Sequence, residues 1–167
     1  MLVKEKLGNI SELNIGEIEL DHVIIEWYET NKRILNKRSV QGKDITIRFL
    51  KENQDLKEGD IIYKDASEII TIEIKPCDSI IISPKDMNEM AGLCYEIGNK
   101  HLPLFIEEYY LMIPFDQTLY KQFDLAGYNV ERGDRKLANA LRTSVAAHSN
   151  GSGSTLFSMM MKFKKGE

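Results

Sequence analysis

Cysteine and histidine are both scarce in this chain of 167 residues, with two of the first and three of the second. Cys77 and Cys94 do not form a Cys-x-x-Cys pair, so neither a zinc knuckle nor a thioredoxin-type site is indicated. A single pair is also far from the density of a secreted disulfide scaffold. No run approaches the roughly 18 apolar residues of a membrane span. Met1-Leu2-Val3-Lys4-Glu5-Lys6 lacks the apolar core of a signal peptide. Positive charge is not in excess: 22 Lys and Arg stand against 26 Asp and Glu, a net charge of −4. That balance argues against tracking of nucleic-acid phosphates. Catalytic signatures are missing too. There is no Gly-x-Ser-x-Gly elbow, no His-Glu-x-x-His and no phosphate-binding glycine loop, and Glu107, Glu108 and Asp116 have no marked partner. The expectation is a soluble, cytoplasmic chain that binds neither nucleic acid nor membrane and is not an enzyme.

What is present is an ordinary globular composition, 43% apolar and 29% charged, long enough for one medium domain or two small ones. Residues 1–75 read as a small all-β domain. Val23-Ile24-Ile25-Glu26-Trp27-Tyr28-Glu29 is rich in β-branched and aromatic residues. Arg38-Ser39-Val40 and Ile45-Thr46-Ile47-Arg48-Phe49-Leu50 flank Gln41-Gly42-Lys43-Asp44, and the second arm alternates as a hairpin should. Leu56-Lys57-Glu58-Gly59-Asp60 turns into Ile61-Ile62-Tyr63, and a further turn precedes Ile69-Ile70-Thr71-Ile72-Glu73-Ile74. Short strands at this spacing predict a sandwich or open barrel.

Composition changes at Lys75-Pro76-Cys77-Asp78, and residues 76–148 form the second expected domain. Ser79-Ile80-Ile81-Ile82-Ser83 reads as a buried strand. Ser83-Pro84 is expected to open a helix, serine as N-cap and proline at the first turn. Met87, Met90, Ala91, Cys94 and Ile97 follow at helical spacing, and Gly98 is expected to stop it. Two strands come next, Leu102-Pro103-Leu104-Phe105-Ile106 and Tyr109-Tyr110-Leu111-Met112-Ile113. A second helix is capped by Asp116, with Leu119, Phe123 and Leu125 inward and Gly127 at its end. Tyr128-Asn129-Val130-Glu131-Arg132 returns as the last strand. This βαββαβ order is the split βαβ pattern of a ferredoxin-like domain, so the fold class is α+β. Residues 149–167 read as a flexible tail, with a Gly-Ser linker followed by Met159-Met160-Met161-Lys162-Phe163-Lys164-Lys165.

One histidine has a specific setting. Cys94-Tyr95-Glu96-Ile97-Gly98-Asn99-Lys100-His101 is the end of an amphipathic helix followed by a polar loop. Neutral imidazole suits nickel, copper and zinc. One donor is a poor site, but a two-fold dimer would bring His101 from both chains, and His148 before the linker could swing in as a labile ligand. The plain alternative for each is a surface histidine with no ligand role. His22 is expected to be exposed or bonded to a neighbouring carboxylate, without a role. Cys94 reads as a small buried hydrophobe, Cys77 as an exposed turn residue, and the triple methionine as apolar tail packing rather than ligand.

These residues resemble the urease accessory proteins of the UreE family. The resemblance spans residues 1–148 and rests on Gln41-Gly42-Lys43-Asp44-Ile45, on Leu56-Lys57-Glu58-Gly59-Asp60-Ile61, and on Gly98-Asn99-Lys100-His101, which looks like the family's Gly-Asn-Arg/Lys-His metal motif. It implies a peptide- or partner-binding β domain and a ferredoxin-like domain that binds metal and dimerises. It further implies a nickel metallochaperone in which His101 of each chain shares one Ni(II), with His148 at the position of a C-terminal histidine that joins the site. Cu(II) or Zn(II) could bind in vitro. The implied partners are the urease-maturation GTPase, the other urease accessory proteins and the urease apoprotein complex. Many relatives end in a histidine-rich tail and this chain does not, so large nickel storage is not expected. The rival readings are a protein-interaction scaffold of a metalloenzyme assembly complex with incidental metal, and a small hydrolase using Cys77, Cys94 or a carboxylate.

Overall fold

The computed structural model describes residues 1–13, 18–49 and 55–141. The chain divides into two compact units, Met1–Pro76 and Cys77–Glu167. The linker and tail at residues 149–167 lie outside the described residues.

The first unit is all strand and turn among its described residues. Its strands are β1 (Leu2–Val3), β2 (Glu19–Ile25), β3 (Ile34–Arg38), β4 (Asp44–Arg48), β5 (Ile61–Lys64) and β6 (Glu68–Ile74). They form two three-stranded sheets, β1-β4-β3 and β2-β6-β5. The β3–β4 hairpin pairs Lys37 with Ile45 and turns at Gly42, whose φ of 92° lies in the left-handed region that glycine adopts without a Cβ penalty. The alternation of β4 holds: Ile45 and Ile47 are buried while Arg48 is exposed. β6 is central in its sheet and buried along nearly its whole length, which is why it reads as a continuous apolar run.

Two expectations need correction here. The strand begun at Val23 stops at Ile25, and Trp27–Glu29 forms a 3-10 turn instead. The Glu29 carboxylate explains the break. It accepts from the Glu26 N–H at 3.0 Å and pairs with Lys32 and Lys37, so the chain closes locally rather than extending. His22 is not bonded to a carboxylate through its ring. Its Nδ1 lies 2.9 Å from the Thr71 hydroxyl on the neighbouring strand.

The second unit runs β7 (Cys77–Ile82), α1 (Met87–Asn99), β8 (Phe105–Glu107), β9 (Tyr110–Pro114), α2 (Gln117–Leu125) and β10 (Val130–Arg135). The sheet order is β10-β7-β9-β8, and every pairing is antiparallel. This is the split βαβ topology of a ferredoxin-like domain. One sheet face supplies Ile80, Ile82, Leu111 and Ile113 to a core closed by Leu93, Ile97, Leu119 and Phe123 of the helices. Each such side chain contributes about 1.5–3 kcal/mol by leaving water.

Helix boundaries differ from expectation. α1 starts at Met87, not at Pro84, and Asp86 is its cap, accepting from the Glu89 N–H at 2.8 Å. Ser83 lies ahead of the helix, its amide donating to the Asn129 carbonyl at 2.9 Å beside the entry to β10, and the cap position goes to Asp86. Asp116 caps α2 as expected, accepting from Thr118 and Leu119. Leu125, however, is 88% exposed rather than inward. Cys77 is buried as the first residue of β7, paired with Arg135, and is not in an exposed turn.

Candidate metal centre

The C-terminal end of α1 decides where His101 stands. The helix does not stop at Gly98. It continues to Asn99, and the left-handed residue is His101 itself, at φ 54°. The hydrogen bonds close around it: the His101 N–H donates to Gly98 O at 2.9 Å, and the Leu102 N–H reaches back to Ile97 O at 3.3 Å. This is a Schellman end, with Lys100 as C-cap and His101 in the position usually held by glycine. Its apolar clasp is Ile97 with Leu102, both in the core.

With buried anchors on either side, the turn leaves His101 exposed. Its imidazole makes no hydrogen bond to any described residue, so neither ring nitrogen is occupied there. A non-glycine residue in the left-handed region costs about 1 kcal/mol, although histidine tolerates it better than most residues. The negative end of a helix dipole lies at the same place, equivalent to roughly half a charge, and favours a cation there. Lys100 is committed elsewhere, to Glu96 at 3.8 Å and to the Gln122 Oε1 at 3.4 Å.

Around His101 the outer face of α1 is open. Ala91, Gly92, Tyr95, Gly98 and Asn99 are all exposed, Tyr95 at 73%. A Cβ added at Gly92 or Gly98 would meet nothing within 4 Å. Cys94 turns the other way, packed against the core, and burial pushes its thiol pKa up. A half-buried, protonated thiol is a poor ligand and nucleophile. Among the described residues no group of three His, Cys, Asp or Glu could hold a metal ion. His148 lies outside the described residues.

One feature escaped the sequence reading. After β10 the chain turns at Asn139, φ 57°, and runs back along the start of β8. Ala140 bridges Phe105, and the Leu141 N–H donates to Leu104 O at 2.7 Å. Asn139 between two alanines was the available signal, since asparagine tolerates the left-handed region.

Two family models cover the chain: the UreE urease accessory protein N-terminal domain over residues 3–75 and the UreE C-terminal domain over residues 75–153. The urease accessory protein UreE of Flavobacterium johnsoniae is 40% identical over 165 residues, 99% of this chain and 100% of that protein. The UreE protein of Actinobacillus pleuropneumoniae is 40% identical over 149 residues, covering 87% of this chain and 80% of its own length. That of Helicobacter pylori is 35% identical over 149 residues, 87% of this chain and 88% of its own length.

Proposed function

The chain belongs to the UreE family of urease accessory proteins, and on that premise we propose that it is a cytoplasmic nickel metallochaperone of urease maturation. Two copies pair through the outer face of α1. Each contributes His101 to one Ni(II) on the two-fold axis. The observation that carries this reading is His101 itself: exposed, with both ring nitrogens uncommitted among the described residues, at the negative end of a helix. A single imidazole is too little for a divalent ion, and an isologous interface doubles it. The stripe of Ala91, Gly92, Tyr95 and Gly98 supports such an interface, because small residues let two helices approach around one exposed aromatic.

His148 completes the set as a labile ligand. Leu141 is held beside Leu104, three residues past His101 in sequence. The seven residues from Leu141 to His148 span at most about 25 Å when extended, so the second imidazole has the reach. Imidazole-only ligation suits nickel, copper or zinc, and few ligands favour release to a recipient. The recipients are the urease-maturation GTPase and the urease apoprotein complex, with residues 1–75 as the partner-binding domain. The protein makes and breaks no covalent bond of a substrate.

Calorimetric titration of nickel, with mass by light scattering, tests this on the parent, His101→Ala and His148→Ala. One ion per dimer, lost in His101→Ala and weakened in His148→Ala, is the expected result. Unchanged nickel binding in His101→Ala would sink the axial site and leave a partner-binding scaffold as the better description.

A further inference from the structure

β3 (Ile34–Arg38) lies at the edge of its three-stranded sheet, and its pairing with β4 runs without a bulge. The ladder fixes which of its backbone groups are occupied. The Ser39 N–H donates to Lys43 O and the Phe49 N–H to Arg33 O, both at 2.9 Å, so the odd-numbered residues bond to β4. The N–H and C=O groups of Ile34, Asn36 and Arg38 therefore point away from the sheet. No described residue donates to them or accepts from them. Other edges are covered. Along β5 the Leu7 N–H donates to Ile61 O at 2.8 Å and the Ile61 N–H to Gly8 O at 2.9 Å, and Ala140 bridges Phe105 on β8. Beside β3 only Val40, past the end of the strand, is taken, its N–H donating to His22 O at 2.8 Å. The open stretch is about 14 Å long.

An open edge is a template for another strand, and proteins usually block it with proline, a bulge or charge. β3 has neither proline nor bulge. Its two charges are drawn off the edge. Lys37 Nζ lies 2.5 Å from Glu29 Oε2, and Arg38 Nε reaches across to Asp44 Oδ1 on β4 at 2.9 Å. Ile34, 58% exposed, leaves an apolar side chain beside the open groups. The surroundings select what fits there. From Glu29 to Arg38 the chain carries four cations and one anion, and Arg48 stands opposite Ile34. Glu29 is shared by Lys32 and Lys37, and Asp44 is held by Arg38. Arg33 and Arg48, both exposed, are left without an anion among the described residues. This is a local excess of positive charge on a chain whose net charge is −4.

We propose that the open edge of β3 takes up an extended, acidic segment of a protein partner as an added strand. The backbone groups of Ile34, Asn36 and Arg38 set its register, an apolar side chain of the segment lies on Ile34, and its carboxylates lie by Arg33 and Arg48. The added strand begins at the Ile34 end, because the bond from Val40 to His22 closes the other. The charges are exposed, so their attraction weakens as salt shortens the screening length, whereas the backbone pairing does not depend on it. The inference rests on residues 1–75 being the partner-binding domain of the proposed function, and it makes no use of His101.

The test uses the metal-free, full-length protein and a fluorescein-labelled peptide, Glu-Val-Asp-Val-Glu-Val-Asp. Binding is read by fluorescence anisotropy, and amide hydrogen exchange of the protein by NMR. Saturable binding is expected, with exchange slowed at least about tenfold at the Ile34, Asn36 and Arg38 amides. Exchange at Leu35 and Lys37, already bonded to β4, should stay as it was. Asn36→Pro removes one outward N–H and no ladder bond, and should weaken binding about tenfold. Unchanged exchange at Leu35 and Ile47 reports that the sheet of this variant is intact. Arg33→Glu with Arg48→Glu should weaken binding and remove its salt dependence. The same peptide N-methylated at alternate residues should not bind. Absence of binding, or binding that leaves exchange at Ile34, Asn36 and Arg38 unchanged, would overturn the proposal. Equal binding of a thymidine oligonucleotide without amide protection would overturn it too, and assign the basic patch to phosphate. With no metal present, either failure leaves the nickel reading of His101 standing, and a failed nickel titration leaves this result standing.

Discussion

α1 and α2 end in the same hydrogen-bonding pattern and differ in the kind of residue at the left-handed position. At the end of α2 the left-handed position is Gly127, φ 83°, with its N–H on Asp124 O and the Tyr128 N–H on Phe123 O. At the end of α1 the equivalent position is His101, φ 54°. Both ends are clasped by an apolar pair, Phe123 with Tyr128 at 6.1 Å between ring centroids and Ile97 with Leu102 in the core. α2 uses the residue that adopts this conformation at no steric cost. α1 carries a side chain there at a cost of about 1 kcal/mol. A position where glycine would serve the fold better, yet which bears an exposed imidazole, is one whose side chain matters more than its backbone.

The comparison is broken most sharply by His101→Gly. Nickel affinity should fall by more than the about 10–100-fold that loss of a supporting partner costs, while the protein melts no lower than its parent. His101→Ala should lose nickel equally but be less stable than His101→Gly by about 1 kcal/mol, since alanine keeps the left-handed penalty. Equal melting of the two variants would refute the strain assigned to this turn. Next in size is the clasp. Ile97→Ala removes a fully buried side chain and should cost about 2–5 kcal/mol in denaturant unfolding. Gly127→Ala should cost about 1–2 kcal/mol and leave nickel binding unchanged, because its Cβ would meet nothing within 4 Å and the penalty is purely conformational. A larger loss would mean that space, not φ, sets that residue. Smallest is Asp116→Ala, which removes the cap of α2 and should cost about 1 kcal/mol, again with nickel titration unaltered.

Much of this was legible in advance. The order of elements from Cys77 to Arg135, the β3–β4 hairpin and the Asp116 cap follow from periodicity and turn chemistry. The end of α1 was misplaced for a definable reason. Taking Gly98 as the stop applies the glycine rule alone. A Schellman end there would have clasped Cys94 against Asn99, a polar and poor pair. Moving it to His101 clasps Ile97 against Leu102. The apolar pair, not the glycine, sets the register, and that signal was in the sequence. Leu125 erred in the opposite direction: it lies two residues past Phe123, about 200° around the helix, and so points to solvent.

By itself the sequence determined which residues have an inward face, where the hairpins turn and which histidine follows a helix, because these depend on side-chain spacing and local backbone preference. Tertiary structure decided the rest. β2 lies parallel to β6, pairing Val23 with Ile72 across a long separation that no local pattern encodes. Ahead of α1 the Ser83 amide is held by the Asn129 carbonyl from the far end of the unit, and the helix starts only at Met87, capped by Asp86. The chain returns past Asn139 to pair Ala140 with Phe105, next to the helix end that carries His101. In each case a backbone group had to find a partner remote in sequence, and only the folded chain determines which one is near.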